Sequence, residues 1–211
     1  MTAPTTTPWV PPADVLAAIN ALHVHETQGS MTGDGRPTQL SPHTGVVAFA
    51  AAVKAKFPFV TSTGIRAGGQ HHGLSTATGR RDMHEEARAI DFMLPGPESA
   101  RVVQGPLLAN WLSRNAQAFG IQGIVSRSGN WFASYPAGRR FRPYTGSSPH
   151  VDHVHVELSE EAANRGSLQM AQLVANTPLE PGSTAATWGW YAGGAVILAG
   201  VAAWIVTRRE G

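Results

Sequence analysis

Apolar residues recur at helical spacing in three parts of the chain. Residues 14–25 (DVLAAINALHVH) follow this pattern behind Asp14, a suitable N-cap residue. Residues 42–57 form a second apolar stretch that stops before a proline, and residues 98–119 form a third that is followed by Gly120. We therefore predict three helices, with Gly120 as the residue that ends the last one.

Short runs rich in β-branched and aromatic residues lie between and after these helical stretches and predict strands. They comprise residues 59–65, 87–94, 121–125, 131–134 and 151–158. Strands and helices do not alternate regularly, which argues against a doubly wound parallel fold. The predicted fold class is α+β, with a small, mostly antiparallel sheet flanked by helices and one C-terminal transmembrane helix.

The transmembrane prediction rests on residues 188–206, a run of 19 residues without a charge. As a helix this run would be roughly 28 Å long, close to the hydrocarbon thickness of a bilayer. Aromatic residues lie near its ends, and Arg208 and Arg209 follow it, which favours the cytoplasmic side for the C-terminus. The alternative is a buried helix of a soluble domain, which is uncommon at this length without polar residues.

These patterns divide the chain into five parts. The first residues are rich in threonine and proline and lack the basic start and apolar run of a signal peptide. The parts are a flexible arm (1–12), a folded domain (13–163), a linker (164–187), the transmembrane helix (188–207) and a basic tail (208–211).

Composition narrows the function classes. The chain of 211 residues has 42% apolar and 14% charged residues, which is enough apolar material for a packed core. It has no cysteine, so disulfide scaffolds, thiolate zinc sites and cysteine nucleophiles are excluded. The net charge is only +2 and no dense basic run is present, so nucleic acid is not an expected partner.

Histidines and acidic residues cluster in a way that indicates a metal site. Six of the nine histidines lie at 71–84 and 150–155. In the predicted strand 151–158, His153 and His155 are two residues apart and therefore point to one face. A third ligand could come from His84 or Asp91. With no thiolate available, these donors make zinc in a catalytic site the natural candidate.

Four segments of the chain resemble the zinc peptidases of the D-alanyl-D-alanine carboxypeptidase and L-alanyl-D-glutamate endopeptidase group, the LAS or M15-type family. They read TSTGIR, HEEARAIDF, GIQGIVSRSGNW and PYTGSSPHVDHVHVEL. The last segment is similar to the actinobacterial branch of these enzymes, in which a strand with the sequence DHVHV follows a loop rich in glycine and serine.

This resemblance implies the metal ligands. His84, Asp91 and His155 fall on the zinc ligands of the family. The first motif of the family commonly has glycine where this chain has Ala87, and the added methyl group is expected to do little harm beyond a slight change in backbone approach.

The resemblance also implies the catalytic residues. Asp152 falls on the general base, His153 on a residue near the metal that orients substrate or stabilises the oxyanion, and Arg66 on an arginine that binds the substrate carbonyl or carboxylate. An ideal strand would place Asp152 on the face opposite His155, so a bend near the start of the strand is required.

The implied function is a zinc-dependent peptidase that hydrolyses the peptide stems of bacterial peptidoglycan. Its partners would be these stems and, through the C-terminal helix, a lipid bilayer. The single anchor would tether it in a bacterial envelope or in a phage virion that contains a membrane, as in a phage lytic enzyme, with the catalytic domain on the cell-wall side. The alternatives are a D-alanyl-D-alanine carboxypeptidase, a catalytically silent wall-binding membrane protein and a holin-like membrane protein.

Other residues near these motifs have plainer interpretations. Glu85 and Glu86 are expected to be solvated loop charges. Trp131 and Tyr144 could line a substrate wall or pack in the core. His150 flanks the site without an assigned role.

Overall fold

The computed structural model describes residues 7–23, 42–65, 83–84, 86–146 and 148–179. The chain divides into two units, Met1–Pro178 and Leu179–Gly211, and every helix and strand described here belongs to the first. No helix within the described residues is both long and apolar enough to cross a bilayer. The predicted transmembrane segment, residues 188–207, lies outside the described residues.

Strands in the described part of the chain form one sheet in which every neighbouring pair is antiparallel. They are β1 (Ser62–Gly64), β2 (Ala89–Met93), β3 (Ile121–Ser126), β4 (Gly129–Phe132), β5 (Phe141–Pro143) and β6 (His153–Leu158). Their order across the sheet is β1-β2-β6-β3-β4-β5, so the last strand lies between the second and the third. The sequence did not predict β5, which has three residues at the edge.

Helices flank this sheet. They are α1 (Ala13–Asn20), α2 (Thr44–Lys56), α3 (Glu98–Arg114), α4 (Ala116–Phe119), α5 (Glu160–Ala163) and α6 (Ser167–Asn176). The third predicted helix is divided between α3 and α4, and Gly120 ends α4 with a φ of 72°, as predicted. The prediction of an α+β fold with a small antiparallel sheet flanked by helices is confirmed.

The two faces of the sheet differ in chemistry because residues alternate along each strand. On the face covered by helices, Val154 and Val156 of β6 are fully buried, and the ring of Phe92 lies 6.2 Å from that of Phe49 in α2. The opposite face carries polar residues of β2 and β6, and we call it the site face. Its members are Asp91, His153, His155 and Glu157. The apolar core thus supports the site from behind.

The folded domain extends further toward the C-terminus than predicted. Residues 167–176 were assigned to the linker, yet they form α6, which packs against α2. Met170 and Val174 on α6 are fully buried, and Trp111 Nε1 donates a hydrogen bond to the carbonyl of Pro178 (2.8 Å). The composition after residue 163 was interpreted as a linker, so the short amphipathic helix α6 was not predicted.

The folded domain also begins earlier than predicted, because Trp9 and Pro11 of the predicted flexible arm are buried. Trp9 is 1% exposed, and its Nε1 donates a hydrogen bond to Oδ1 of Asn110 (2.9 Å). Its ring meets Phe141 edge to face at 5.6 Å between centroids. One buried aromatic residue therefore anchors a segment whose composition favours disorder.

Candidate metal and catalytic site

His84 lies in a single hydrogen-bonded turn that leads into β2. The amide of Ala87 donates to the carbonyl of His84 (3.1 Å), and the amide of Arg88 donates to the carbonyl of Met83 (3.0 Å). These nested hydrogen bonds, with a left-handed residue at Ala87 (φ 53°), have the form of a Schellman motif. Local backbone hydrogen bonds therefore set the direction of His84.

Ala87, at the position where the resemblance places a glycine, has a left-handed backbone conformation with a φ of 53°. A residue with a Cβ is less stable in the left-handed region by roughly 1–2 kcal/mol, a cost that glycine does not have. The methyl group of Ala87 is fully buried, which offsets part of this cost. The methyl group of Ala87 therefore has two opposing effects on the turn that carries His84: its left-handed φ costs stability and its burial returns part of it.

A buried ion pair supports the same turn. Arg88 donates from Nε and Nη2 to Oε2 of Glu86 (3.0 and 2.7 Å), and from Nη1 to the carbonyl of Leu158 in β6 (3.2 Å). Nε2 of His43, just before α2, lies 3.2 Å from the carbonyl oxygen of Glu86. The expectation that Glu86 is solvated is wrong, since its side chain is 9% exposed. The pair ties the turn to β6.

Asp91 and His155 are placed by strand register. They are direct cross-strand partners in the antiparallel pair of β2 and β6, so their side chains leave the sheet on the same face. Gly64 in β1 is the partner of Asp91 on its other side. Two donors thus come from one row of the sheet, and the third comes from the turn before β2.

The three side chains converge to a small triangle of donor atoms. His84 Nε2 lies 3.2 Å from His155 Nδ1 and 3.3 Å from Asp91 Oδ1, and the last two atoms are 3.0 Å apart. The group is largely buried, with His155 9% exposed. These three residues could hold a metal ion.

Hydrogen bonds among the donor residues shift the pKa values of Asp91 and His155. Burial by itself would raise the pKa of Asp91, but hydrogen bonds with His155 and His84 hold this pKa far below its usual range. Burial by itself would lower the pKa of His155, but hydrogen bonds with Asp91 and Glu157 raise it to about 10. A proton therefore occupies His155 at neutral pH, and a metal ion would have to replace it.

Asp152 and His153 lie next to this triangle. His153 Nδ1 is 2.8 Å from Asp152 Oδ1, and its Nε2 is 3.8 Å from Asp91 Oδ1. Asp152 lies in a bend just before β6, and its carbonyl accepts a hydrogen bond from the amide of Leu94 (2.8 Å). The hydrogen bond from His153 lowers the pKa of Asp152 below its ordinary value, so this carboxyl group is ionised at neutral pH. The predicted bend before the strand is present.

Arg127 fixes the loop that carries Asp152. Its backbone amide donates to the carbonyl of His150 (2.9 Å). Its guanidinium group, on a residue 1% exposed, donates from Nε to the carbonyl of Thr7 (3.0 Å) and from Nη2 to Oε1 of Glu98. The tight turn between β3 and β4 thus connects the N-terminal segment to the loop before β6.

His150 adds a fourth imidazole to the site. Its ring centroid is 4.7 Å from that of His153 and 5.9 Å from that of His155, and its Nδ1 lies 2.6 Å from the carbonyl oxygen of Ser148. Burial, with the neighbouring histidines, lowers the pKa of His150 to about 4. His150 is therefore a neutral imidazole at physiological pH, beside the donor triangle.

Other residues singled out in the sequence have mixed outcomes. Arg66 and Glu85 lie outside the described residues. Trp131 is fully buried and belongs to the core. The ring of Tyr144 lies 5.1 Å from that of His150, so it borders the site.

Sequence reasoning missed Glu157. This residue is 7% exposed, and its Oε1 is 3.5 Å from Nε2 of His155. The period of two along the strand could have found it, since Glu157 follows His155 by two residues and therefore shares its face.

Comparison with known proteins agrees with this geometry. The family model for the C-terminal domain of VldE matches residues 36–155, more than half of the chain, and the match includes all three donors of the triangle. No curated protein and no solved structure gives a significant match. The VldE family is related to the LAS or M15-type peptidases, which supports the resemblance in its broad form. The chain therefore belongs to the family defined by the C-terminal domain of VldE.

Proposed function

We propose that this protein is a zinc-dependent peptidase that hydrolyses the peptide stems of peptidoglycan. The observation that carries the proposal is the triangle of His84 Nε2, Asp91 Oδ1 and His155 Nδ1 beside the Asp152–His153 pair. The substrate class comes from the resemblance to the LAS or M15-type family.

The donor set fits zinc. Two imidazoles and one carboxylate are a common set in catalytic zinc sites, where a fourth position stays open. A tetrahedral ion with bonds of about 2.0–2.1 Å would set its ligand atoms roughly 3.3 Å apart. The distances within the triangle are 3.2, 3.3 and 3.0 Å. A zinc ion held there would polarise the scissile carbonyl and lower the pKa of a water molecule.

The Asp152–His153 pair would handle protons. The ionised carboxylate of Asp152 accepts a proton from the attacking water and then delivers it to the leaving amine. His153 is oriented by Asp152 through Nδ1, which directs Nε2 toward the donor triangle. With a proton on both ring nitrogens, this imidazole would donate from Nε2 to developing negative charge. Arg66, two residues after Gly64 in the sequence, would bind the substrate carbonyl or carboxylate.

Digestion of purified peptidoglycan by the full-length protein tests this function. We expect one zinc ion per chain, and new chain ends in the digest identify by mass spectrometry the bond that is cut. Asp152→Asn should keep the metal and lose at least about 100-fold in rate, whereas the control Asp14→Asn, at an exposed position of α1, should keep both the metal and the rate.

The outcomes separate the alternatives. Release of terminal D-alanine alone would indicate a carboxypeptidase, and wall binding without cleavage would indicate a silent binding protein. Ferrous iron also accepts these donors, so metal analysis of the purified protein must find zinc for the proposal to stand. An Asp152→Asn variant as active as the wild type would remove Asp152 from the role of base.

We also propose that residues 188–206 tether the protein to a membrane, because this run is uncharged and long enough to span a bilayer. A tether would keep the enzyme near its insoluble substrate. The full-length protein should then remain in the membrane fraction after an alkaline carbonate wash, and a chain that ends at residue 187 should be released.

A further inference from the structure

The two ring nitrogens of His155 face different partners. Nδ1 lies 3.0 Å from Asp91 Oδ1 and 3.2 Å from His84 Nε2, inside the donor triangle. Nε2 points away from the triangle and lies 3.5 Å from Oε1 of Glu157. An imidazole that binds a metal through one nitrogen carries its proton on the other, and that proton requires an acceptor when it is buried.

The fold holds the carboxyl group of Glu157 at this place. Glu157 follows His155 by two residues on β6, and its side chain is 10% exposed. Its cross-strand partners are Ala89 in β2 and Gly123 in β3, which are both small. A Cβ on Gly123 would overlap the ring of Phe132 and lie 3.1 Å from Oε2 of Glu157, so glycine leaves room for both side chains.

We propose that Glu157 is a positioning residue that fixes the tautomer and ring orientation of His155 for metal binding. The inference rests on the proposed function, because it requires His155 to be a ligand. Glu157 lies behind His155 as seen from the triangle, so it acts through the imidazole and does not contact substrate. A carboxylate on the far nitrogen also makes the imidazole a stronger donor to the metal. The distance of 3.5 Å is at the long limit of a hydrogen bond. We therefore expect Glu157 to act on His155 through the charge of its carboxylate as well as through a hydrogen bond that orients the ring.

The test measures zinc affinity of the full-length protein by competition with a chelator. Glu157→Gln keeps the shape and an acceptor oxygen but removes the charge, and Glu157→Met removes both the charge and the acceptor. We expect dissociation constants that rise about tenfold for Gln and about a hundredfold for Met. The visible spectrum of the cobalt-loaded protein should shift in the same order. Glu161→Gln is the matched control, since Glu161 is 76% exposed and its partner is 3.9 Å away.

A purely structural role for Glu157 predicts a different result. In that case, losses of zinc affinity would parallel losses in the melting temperature of the metal-free variants. Such parallel losses, or affinities within twofold of the wild type for both variants, would overturn the inference. A wild-type protein that binds one zinc ion but cleaves no peptidoglycan would refute the peptidase proposal, and the affinities would still decide the role of Glu157. A wild-type protein that binds no zinc would refute both.

Discussion

Two regions of the molecule supply the donor triangle, and they hold their residues by different means. Asp91 and His155 are cross-strand partners in the middle of the sheet, with the fully buried Val154 and Val156 behind them. His84 lies on one turn that is closed by two backbone hydrogen bonds and a left-handed alanine. Strand register fixes Asp91 and His155. The position of His84 depends on the conformation of its turn, which includes the left-handed Ala87 and the Glu86–Arg88 ion pair.

This difference indicates which part of the site can adjust. A strand within a sheet cannot shift by one residue without exposing its apolar side, so Asp91 and His155 are preorganised together. The turn has no such constraint, and its geometry depends on Ala87 and on the Glu86–Arg88 pair. Substitutions in the two regions should therefore differ in their effects on zinc affinity and on the stability of the fold.

Removal of a donor has the largest expected effect. Loss of a residue that only supports a ligand costs about 10–100-fold in affinity, so His84→Ala or Asp91→Ala should weaken zinc binding by more than about 100-fold. Without metal, Asp91→Ala should also destabilise the fold because it removes one of the two carboxylates beside the buried His155, whereas His84→Ala should destabilise it less because His155 keeps both carboxylates. Chelator competition and thermal melting measure both effects, with His23→Ala on the surface as the control. Normal zinc affinity in either variant would refute the donor assignment.

Loss of the buried ion pair at the turn should come next. Arg88→Met leaves the charge of Glu86 buried and should cost about 3–5 kcal/mol of unfolding free energy, measured in urea. Adding Glu86→Gln should recover part of this loss. The matched control is Arg114→Met, since the pair of Arg114 with the exposed Asp14 is screened by water and should contribute little to stability. Equal losses in the two single variants would show that burial of the Glu86–Arg88 pair is unimportant.

Substitutions of Ala87 test the strain directly. Ala87→Val places a β-branched residue at a φ of 53° and should cost about 2 kcal/mol or more, with weaker zinc binding through displacement of His84. Ala87→Gly relieves strain but loses a buried methyl group worth about 0.8 kcal/mol and adds backbone entropy, so its stability should change by less than about 1 kcal/mol. If Val were tolerated as well as Gly, the left-handed conformation of residue 87 would be refuted.

A further expected effect is the pH dependence of the protein in the absence of metal. The pKa of His155 is raised to about 10 in the folded state, so its contribution to stability is complete below about pH 6.5 and is lost as the pH rises through about 10. Urea unfolding in the presence of a chelator should therefore give a lower free energy of unfolding at pH 10 than at pH 6.5. Asp91→Asn should reduce this decrease because it removes one of the two carboxylates that hold the proton on His155. A decrease of the same size in the variant would contradict the coupling of Asp91 with His155.

The sequence predicted the sheet side of the site better than the turn side. Alternation of valine and histidine along β6 marked the two faces of the strand, and it required a bend before His153 that the structure contains. The pairing of Asp91 with His155 was not predictable, because register depends on contacts between residues that are distant in sequence.

The turn escaped prediction for local reasons. Alanine gives no signal of a left-handed conformation, whereas glycine would have. Glu86 was assigned to solvent because charged loop residues usually are solvated, and its burial depends on Arg88 being directed into the interior beside β6. Trp9 was overlooked since the threonine and proline residues around it dominate the composition of the segment.

The packing of Trp9 has a practical consequence for anyone who prepares the isolated domain. A fragment that starts at residue 13, where the first helix begins, would lack Trp9. It would expose one side of Phe141 and lose the hydrogen bond from the indole of Trp9 to Asn110. It would also take away the Thr7 carbonyl that receives the guanidinium of Arg127. A cloning boundary upstream of Thr7 should preserve the geometry around Asp152, and a poorly active shortened fragment would say little about the intact protein.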